Sequence, residues 1–269
     1  MSTQELTFIA SYPKSGNTWV RYFLMTYIHN VLPELIAHDY IPRVENRQVF
    51  EKATGKAYTG ENFFGHGDAY FAQLPAIGNI FKTHIPYLKI RSKPFFPAQA
   101  RYICIYRNPL SVAPSFANHL GVSIDQVVEM MVSDQMTLAA DFDARPSWRF
   151  PLGSWDSHAR SWLGAPVTRL DLRYEDLVAD PEQQFDRILR FVGIEPEPAR
   201  FRFALDATRF DNLQAMEKKF GFREASSKAS GAFFRSGRAK PKKTIFTAVQ
   251  RRTMKSAMKG AADLLKYDI

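Results

Sequence analysis

Four short strand-like runs punctuate the chain: Leu6 to Ala10, Gly78 to Thr83, Arg101 to Tyr106 and Val167 to Leu172. Each has the length of a strand and an apolar centre that suits burial on both faces. Between them apolar residues recur every three or four positions. Val20, Phe23, Leu24, Tyr27 and Ile28 mark a helix after the first run. Phe185, Ile188, Leu189 and Val192 mark another, with Asp180 as its cap, Pro181 in its first turn and Gly193 at its stop. The alternation predicts an α/β fold with a mainly parallel central sheet flanked by helices. Pro33 to Pro75 and Arg145 to Gly153 show no period and are expected to be irregular insertions around a site. With no internal repeat and no Pro/Ser linker, one domain over residues 1–269 is the expectation.

Charge sharpens this picture. The net charge is +9, and the stretch from Arg200 to Lys259 holds 16 Lys or Arg against 4 Asp or Glu. A positive field concentrated there attracts nucleic acid, an acidic membrane surface or a small polyanion held in a cleft. Apolar stretches fall short of the roughly 18 to 20 residues that span a bilayer, and MSTQEL lacks the basic and apolar regions of a secretion signal. A cytoplasmic protein with no membrane span is expected. Cys104, the only cysteine, lies in an apolar run and reads as a buried small residue, and no Cys/His spacing suggests a metal.

Polar residues gather at three strand ends. SYPKSGNTWVR, residues 11–21, follows the first run and precedes a helix. In a strand-loop-helix, loop and first-turn N–H groups converge where the helix dipole favours an anion, so Lys14, Ser15, Gly16, Asn17 and Thr18 point to a phosphate-type ligand. Lysine precedes glycine here, unlike the usual P-loop order. FKTHIP places Lys82, Thr83 and His84 at the end of the second run, where ligands of open α/β sheets bind. An imidazole there can remove a proton from an attacking hydroxyl near neutral pH. In YICIYRNPLSVAPSF, Pro109 opens a helix on which Ser115 lies about two turns on, so Arg107 and Ser115 can clamp a second phosphate.

Taken in order, YPKSGNTW, FKTHIP and YRNPLSVAPSF resemble the sulfotransferases that use 3′-phosphoadenosine 5′-phosphosulfate (PAPS). GSWDSHARSW at 153–162, LRYEDLVADP at 172–181, Thr208 to Phe210 and FRSG at 234–237 extend the resemblance over most of the chain. It implies a PAPS-dependent enzyme with a P-loop-like phosphate site. It also implies that Lys14 to Thr18 bind the 5′-phosphosulfate, with Lys14 at the bridging oxygen and Trp19 on adenine. Arg107, Ser115, Arg235, Ser236 and Gly237 would hold the 3′-phosphate. Tyr174, Thr208 and Phe210 would border the adenine, His84 would be the catalytic base and Lys82 would support the sulfuryl group. No metal is implied.

The chain departs from the family where RSGRAKPKKTIF replaces its basic glycine motif, which leaves Arg238, Lys240 and Lys242 as further candidates for the 3′-phosphate and suggests a basic lid near residues 220–245. A dimer motif is matched only at Lys243 and Thr247, so the oligomeric state stays open. An atypical nucleotide-dependent kinase and a basic nucleic-acid-binding protein are the alternatives; the latter lacks any recognition motif, so nucleic acid is not the expected partner. The expected acceptor is a hydroxyl of a small organic molecule, peptide or glycoside. Phe63, Phe64, Tyr70, Phe71, Tyr87, Phe95 and Phe96 are either core or the lining of its pocket.

Overall fold

The computed structural model describes residues 5–36, 41–139, 148–222, 224–225, 228–235, 237, 239 and 243–269. Strand β1 (Thr7–Ser11) leads into helix α1 (Asn17–His29). Helices α2 (Arg47–Thr54), α3 (Gly60–Gly65) and α4 (Gly67–Gln73) precede β2 (Ile80–Thr83) and a small hairpin of β3 (Lys89–Ile90) and β4 (Lys93–Pro94). Next come β5 (Arg101–Tyr106), α5 (Pro109–Leu120), α6 (Ile124–Val132), and β6 (Thr137–Ala139) paired with β7 (Arg149–Pro151). Helix α7 (Trp155–Leu163) and β8 (Thr168–Arg173) follow. Helices α8 (Tyr174–Ala179), α9 (Pro181–Phe191), α10 (Pro198–Ala207), α11 (Phe210–Phe220), α12 (Ala248–Ala257) and α13 (Lys259–Leu264) complete the order.

The four strand-like runs are the four strands of the central sheet, in the order β2-β1-β5-β8 and all parallel. Parallel neighbours need crossovers, and the intervening helices supply them on both faces. Side chains alternate accordingly. Phe8, Ala10, Tyr102 and Cys104 pack into the core under α5, α6 and α7. Ile9, Ile103, Ile105 and Leu172 pack into the opposite core with α1, α9, α10 and α11. Asp180 caps α9 as expected, accepting from the Gln183 N–H at 3.0 Å. Since the strands run the same way, their C-terminal ends bring residues 11–16, 82–84 and 107–108 to one edge.

Part of the segment expected to be irregular is helical. α2, α3 and α4 are only 8, 6 and 7 residues long, too short for a helical period to repeat visibly. Their caps and packing define them: Asn46 accepts from Val49 N–H and Thr59 from Asn62 N–H, both at 3.1 Å. Residues 145–147 of the other expected insertion lie outside the described residues, and Arg149–Pro151 form a strand.

Candidate active site

The loop between β1 and α1 is folded around two left-handed residues, Lys14 at φ 67° and Gly16 at φ 103°. Only glycine fits the second position. A Cβ on Gly16 would lie 2.6 Å from Tyr174 Cδ2, so a side chain there collides with α8 as well as straining the backbone. Arg107 holds the loop from β5, its Nη1 donating to the Lys14 carbonyl at 3.0 Å while its guanidinium lies 4.0 Å from the centre of the Tyr174 ring. Asn17 fastens the helix start to the sheet: Nδ2 donates to Ile9 O at 3.1 Å and Oδ1 accepts from Arg21 Nε at 2.9 Å.

Lys14 Nζ lies 3.4 Å from the centre of the Phe233 ring. Burial draws its pKa down to about 7, with Glu224 pulling it back and Arg107 and Lys82 adding to the lowering. At neutral pH this side chain is divided between the ammonium and the neutral amine. Lys82, buried at the end of β2, donates to Glu224 Oε1 at 2.5 Å. Arg21 Nη2 donates to the other oxygen of that carboxylate at 2.7 Å, and the Thr18 hydroxyl donates at 3.4 Å. Burial alone would push the Glu224 carboxyl up, but Arg21, Lys82 and their hydrogen bonds outweigh it and hold the group well below its usual range.

His84 has a defined tautomer. Its Nδ1 lies 2.7 Å from the Ser11 carbonyl oxygen, which can only accept, so Nδ1 carries the hydrogen and Nε2 is the basic position of the neutral ring. Burial, Arg43 and Lys82 lower its pKa well below the ordinary histidine value, outweighing the opposing pull of the Ser11 bond. Glu45, fully buried, anchors the same turn by accepting from the His84 N–H and the Thr83 hydroxyl, both at 2.8 Å.

Lys14, Thr18, Arg21, Lys82, His84 and Glu224 border one cavity of about 1160 Å³. Lys14, Gly16, Asn17, Thr18, Trp19, Lys82 and His84 form part of its wall. Arg107, Ser115, Tyr174, Phe210, Arg235 and Gly237 form another part. Several cations around one space suit a multiply charged anion, and the neutral imidazole beside them offers a proton acceptor.

Comparison with known proteins fixes the family. The sulfotransferase domain model matches residues 4–266. The chain belongs to the sulfotransferase domain family. It is 24% identical to sulfotransferase 1E1 of Cavia porcellus over 77% of this chain and 64% of that protein. It is 26% identical to flavonol 4′-sulfotransferase of Flaveria chlorifolia over 78% of this chain and 63% of that protein. The chain thus spans just under two thirds of the length of these curated relatives. In fold it is similar to mouse sulfotransferase SULT7A1 complexed with PAP, at a TM-score of 0.61 and 19% identity, covering 98% of this chain and 90% of that one. Retinol dehydratase in complex with retinol and PAP gives a TM-score of 0.62 at 18% identity, covering 98% and 82%.

Within this sulfotransferase domain, most of the expected site residues meet at the cavity, and two do not. The Ser15 hydroxyl is fully buried without a hydrogen-bond partner, facing an internal void beside Ala10 and Cys104. Thr208 is buried and donates to Ala204 O at 2.7 Å, closing α10. Ser236 lies outside the described residues, as do Arg238, Lys240 and Lys242. The aromatic residues considered for an acceptor pocket are absent from the cavity wall. Phe63, Tyr70, Phe71, Phe95 and Phe96 form a core cluster of tilted and edge-to-face rings with centres 5.2 to 5.8 Å apart, and Phe64 and Tyr87 pack against that core. Sequence reading missed Arg21, Arg43, Glu45 and Glu224. Arg21 alone had a local signal, standing three and four positions after Thr18 and Asn17 on α1.

Proposed function

We propose that the protein is a PAPS-dependent sulfotransferase that moves the sulfuryl group to a hydroxyl of an organic acceptor. One observation carries this reading: Lys14, Lys82 and a His84 ring with Nδ1 tied to Ser11 border the same cavity as Arg107 and Ser115. PAPS, when bound, supplies an activated sulfuryl group whose departure leaves PAP. The chain supplies the rest. His84 Nε2 takes the proton from the acceptor hydroxyl as that oxygen attacks sulfur. The Lys14 and Lys82 ammonium groups hold negative charge that builds on the departing phosphate and the transferred group, which favours the transition state over the ground state. Arg107, Ser115 and Arg235 bind a second phosphate and fix the donor's orientation. Membership of the family disfavours the kinase and nucleic-acid readings, and these residues provide the charge for transfer without a metal.

Labelled PAPS, a panel of phenols and aliphatic alcohols, and the His84→Ala variant test the reading. The wild type should sulfate some members of the panel. His84→Ala should lose about 100-fold or more in kcat while binding PAP within about 3-fold of the wild type, since the imidazole acts on the proton and not on the nucleotide. Normal turnover in His84→Ala would remove the base, and phosphoryl transfer from ATP in place of sulfuryl transfer would remove the function.

A further inference from the structure

Beside His84 the cavity wall carries a basic group that sulfuryl transfer leaves unused. Arg43 stands in parallel register with Lys82, secured by Lys82 N–H donating to Pro42 O at 3.0 Å and Val44 N–H donating to Lys82 O at 2.9 Å. Residues paired in register send their side chains to the same face of a sheet. Arg43 and Lys82 both reach the cavity, and Glu45, two residues beyond Arg43, ties this segment to the His84 N–H. One backbone frame thus sets Arg43 and the base relative to each other.

Arg43 makes no ion pair among the described residues, and unlike Lys14, whose ammonium lies against the Phe233 ring, or Arg149, which donates to Thr137, its side chain has no hydrogen-bond or ring partner there. Lys82 and Arg21 share Glu224, and Arg149, another cavity residue, donates to the Thr137 hydroxyl at 2.7 Å and carbonyl at 2.6 Å. Among the described residues no carboxylate pairs with Arg43, and its Nε is buried without a hydrogen-bond partner. A guanidinium left without an acceptor in a ligand cavity is a recognition element for an oxyanion. Ile41, Met130, Met136 and Leu138 add apolar surface to the same cavity.

We propose that the acceptor is an amphipathic organic acid, whose carboxylate or comparable oxyanion is gripped by Arg43 while its hydroxyl faces His84 and its apolar body rests on the methionine and leucine surface. The inference rests on the transfer reading for the role of His84, but the grip itself is a binding property that can be measured without transfer.

A series of phenolic and ω-hydroxy acids of increasing length, each paired with its methyl ester, is titrated into the full chain with and without PAP and then assayed with PAPS. The wild type should bind at least one acid about 10-fold or more tighter than its ester, as expected for a charge-assisted bidentate contact. Arg43→Gln should abolish that gap while ester binding and PAP affinity stay within about 3-fold, and Arg43→Lys should restore part of it. Four outcomes overturn the proposal: no acid binds, acids and esters bind alike, Arg43→Gln weakens both alike, or it weakens PAP by about 10-fold or more, which would assign Arg43 to the nucleotide. An Arg43-dependent preference for acids in a protein that transfers no sulfuryl group would retain this inference and remove the transfer reading. Equal sulfation of acids and esters would do the reverse.

Discussion

The Lys82 ammonium and the Glu224 carboxylate stand 2.5 Å apart although 142 residues separate them in sequence. Arg21 and Thr18 hold the same carboxylate, so one acidic side chain engages three groups of the cavity wall. An incoming nucleotide anion has to compete with it for Lys82 and Thr18. Glu224→Gln should therefore bind PAP about 10-fold tighter, equivalent to about 1.4 kcal/mol. Glu61→Gln, exposed and outside the cavity wall, corrects for the overall change in charge. Calorimetric titration of both variants checks this, and unchanged or weaker binding in Glu224→Gln would show that the carboxylate does not compete.

Lys14 makes nucleotide binding depend on pH. With a pKa near 7 in the free protein, it is charged below that pH and loses its charge above it. An anion binds the charged form better and raises the pKa in the complex, so PAP affinity should fall as pH rises above about 7, by at most tenfold per unit for this one group. Titrations in two buffers of different ionisation enthalpy should show proton uptake on binding at pH 8 and much less at pH 6. Lys14→Arg, which stays charged throughout, should flatten that part of the profile. A flat wild-type profile would contradict the assignment.

Two glycines separate backbone strain from collision. Gly16 and Gly55 both have left-handed φ, but only at Gly16 would a Cβ meet another residue, Tyr174 at 2.6 Å; at Gly55 the space is open. Gly55→Ala should lose about 1 kcal/mol of stability and Gly16→Ala about 2 to 3, seen in thermal melts as a larger fall in Tm. Only Gly16→Ala should weaken PAP binding. Equal effects of the two substitutions would mean that Tyr174 yields freely.

The sheet was legible because buried parallel strands leave short apolar runs between helical periods, and all four runs are observed within two residues of their expected limits. The convergence of Lys14, His84 and Arg107 was legible for a related reason: neighbouring parallel strands end at the same edge. Glu224, Glu45 and Arg43 were not legible, since their contacts with Lys82 and His84 come from tertiary folding and leave no local spacing to read. The aromatic residues from Phe63 to Phe96 are core, one of the two readings open from sequence, where burial of rings against rings looks the same as a lining. Ser15 had the right chemistry in the motif, yet its hydroxyl is buried and the residue lines an internal void, not the ligand cavity.

The central claim is that the cavity takes an adenine nucleotide by both its 5′ and 3′ phosphate groups, and calorimetric titration of the full chain with PAP, AMP and ATP, in EDTA and in magnesium, tests it most directly. PAP should bind about 10-fold or more tighter than AMP, because Arg107, Ser115 and Arg235 act on the 3′-phosphate, and EDTA should leave its affinity unchanged. Equal binding of PAP and AMP, or a preference for ATP that requires magnesium, would contradict it.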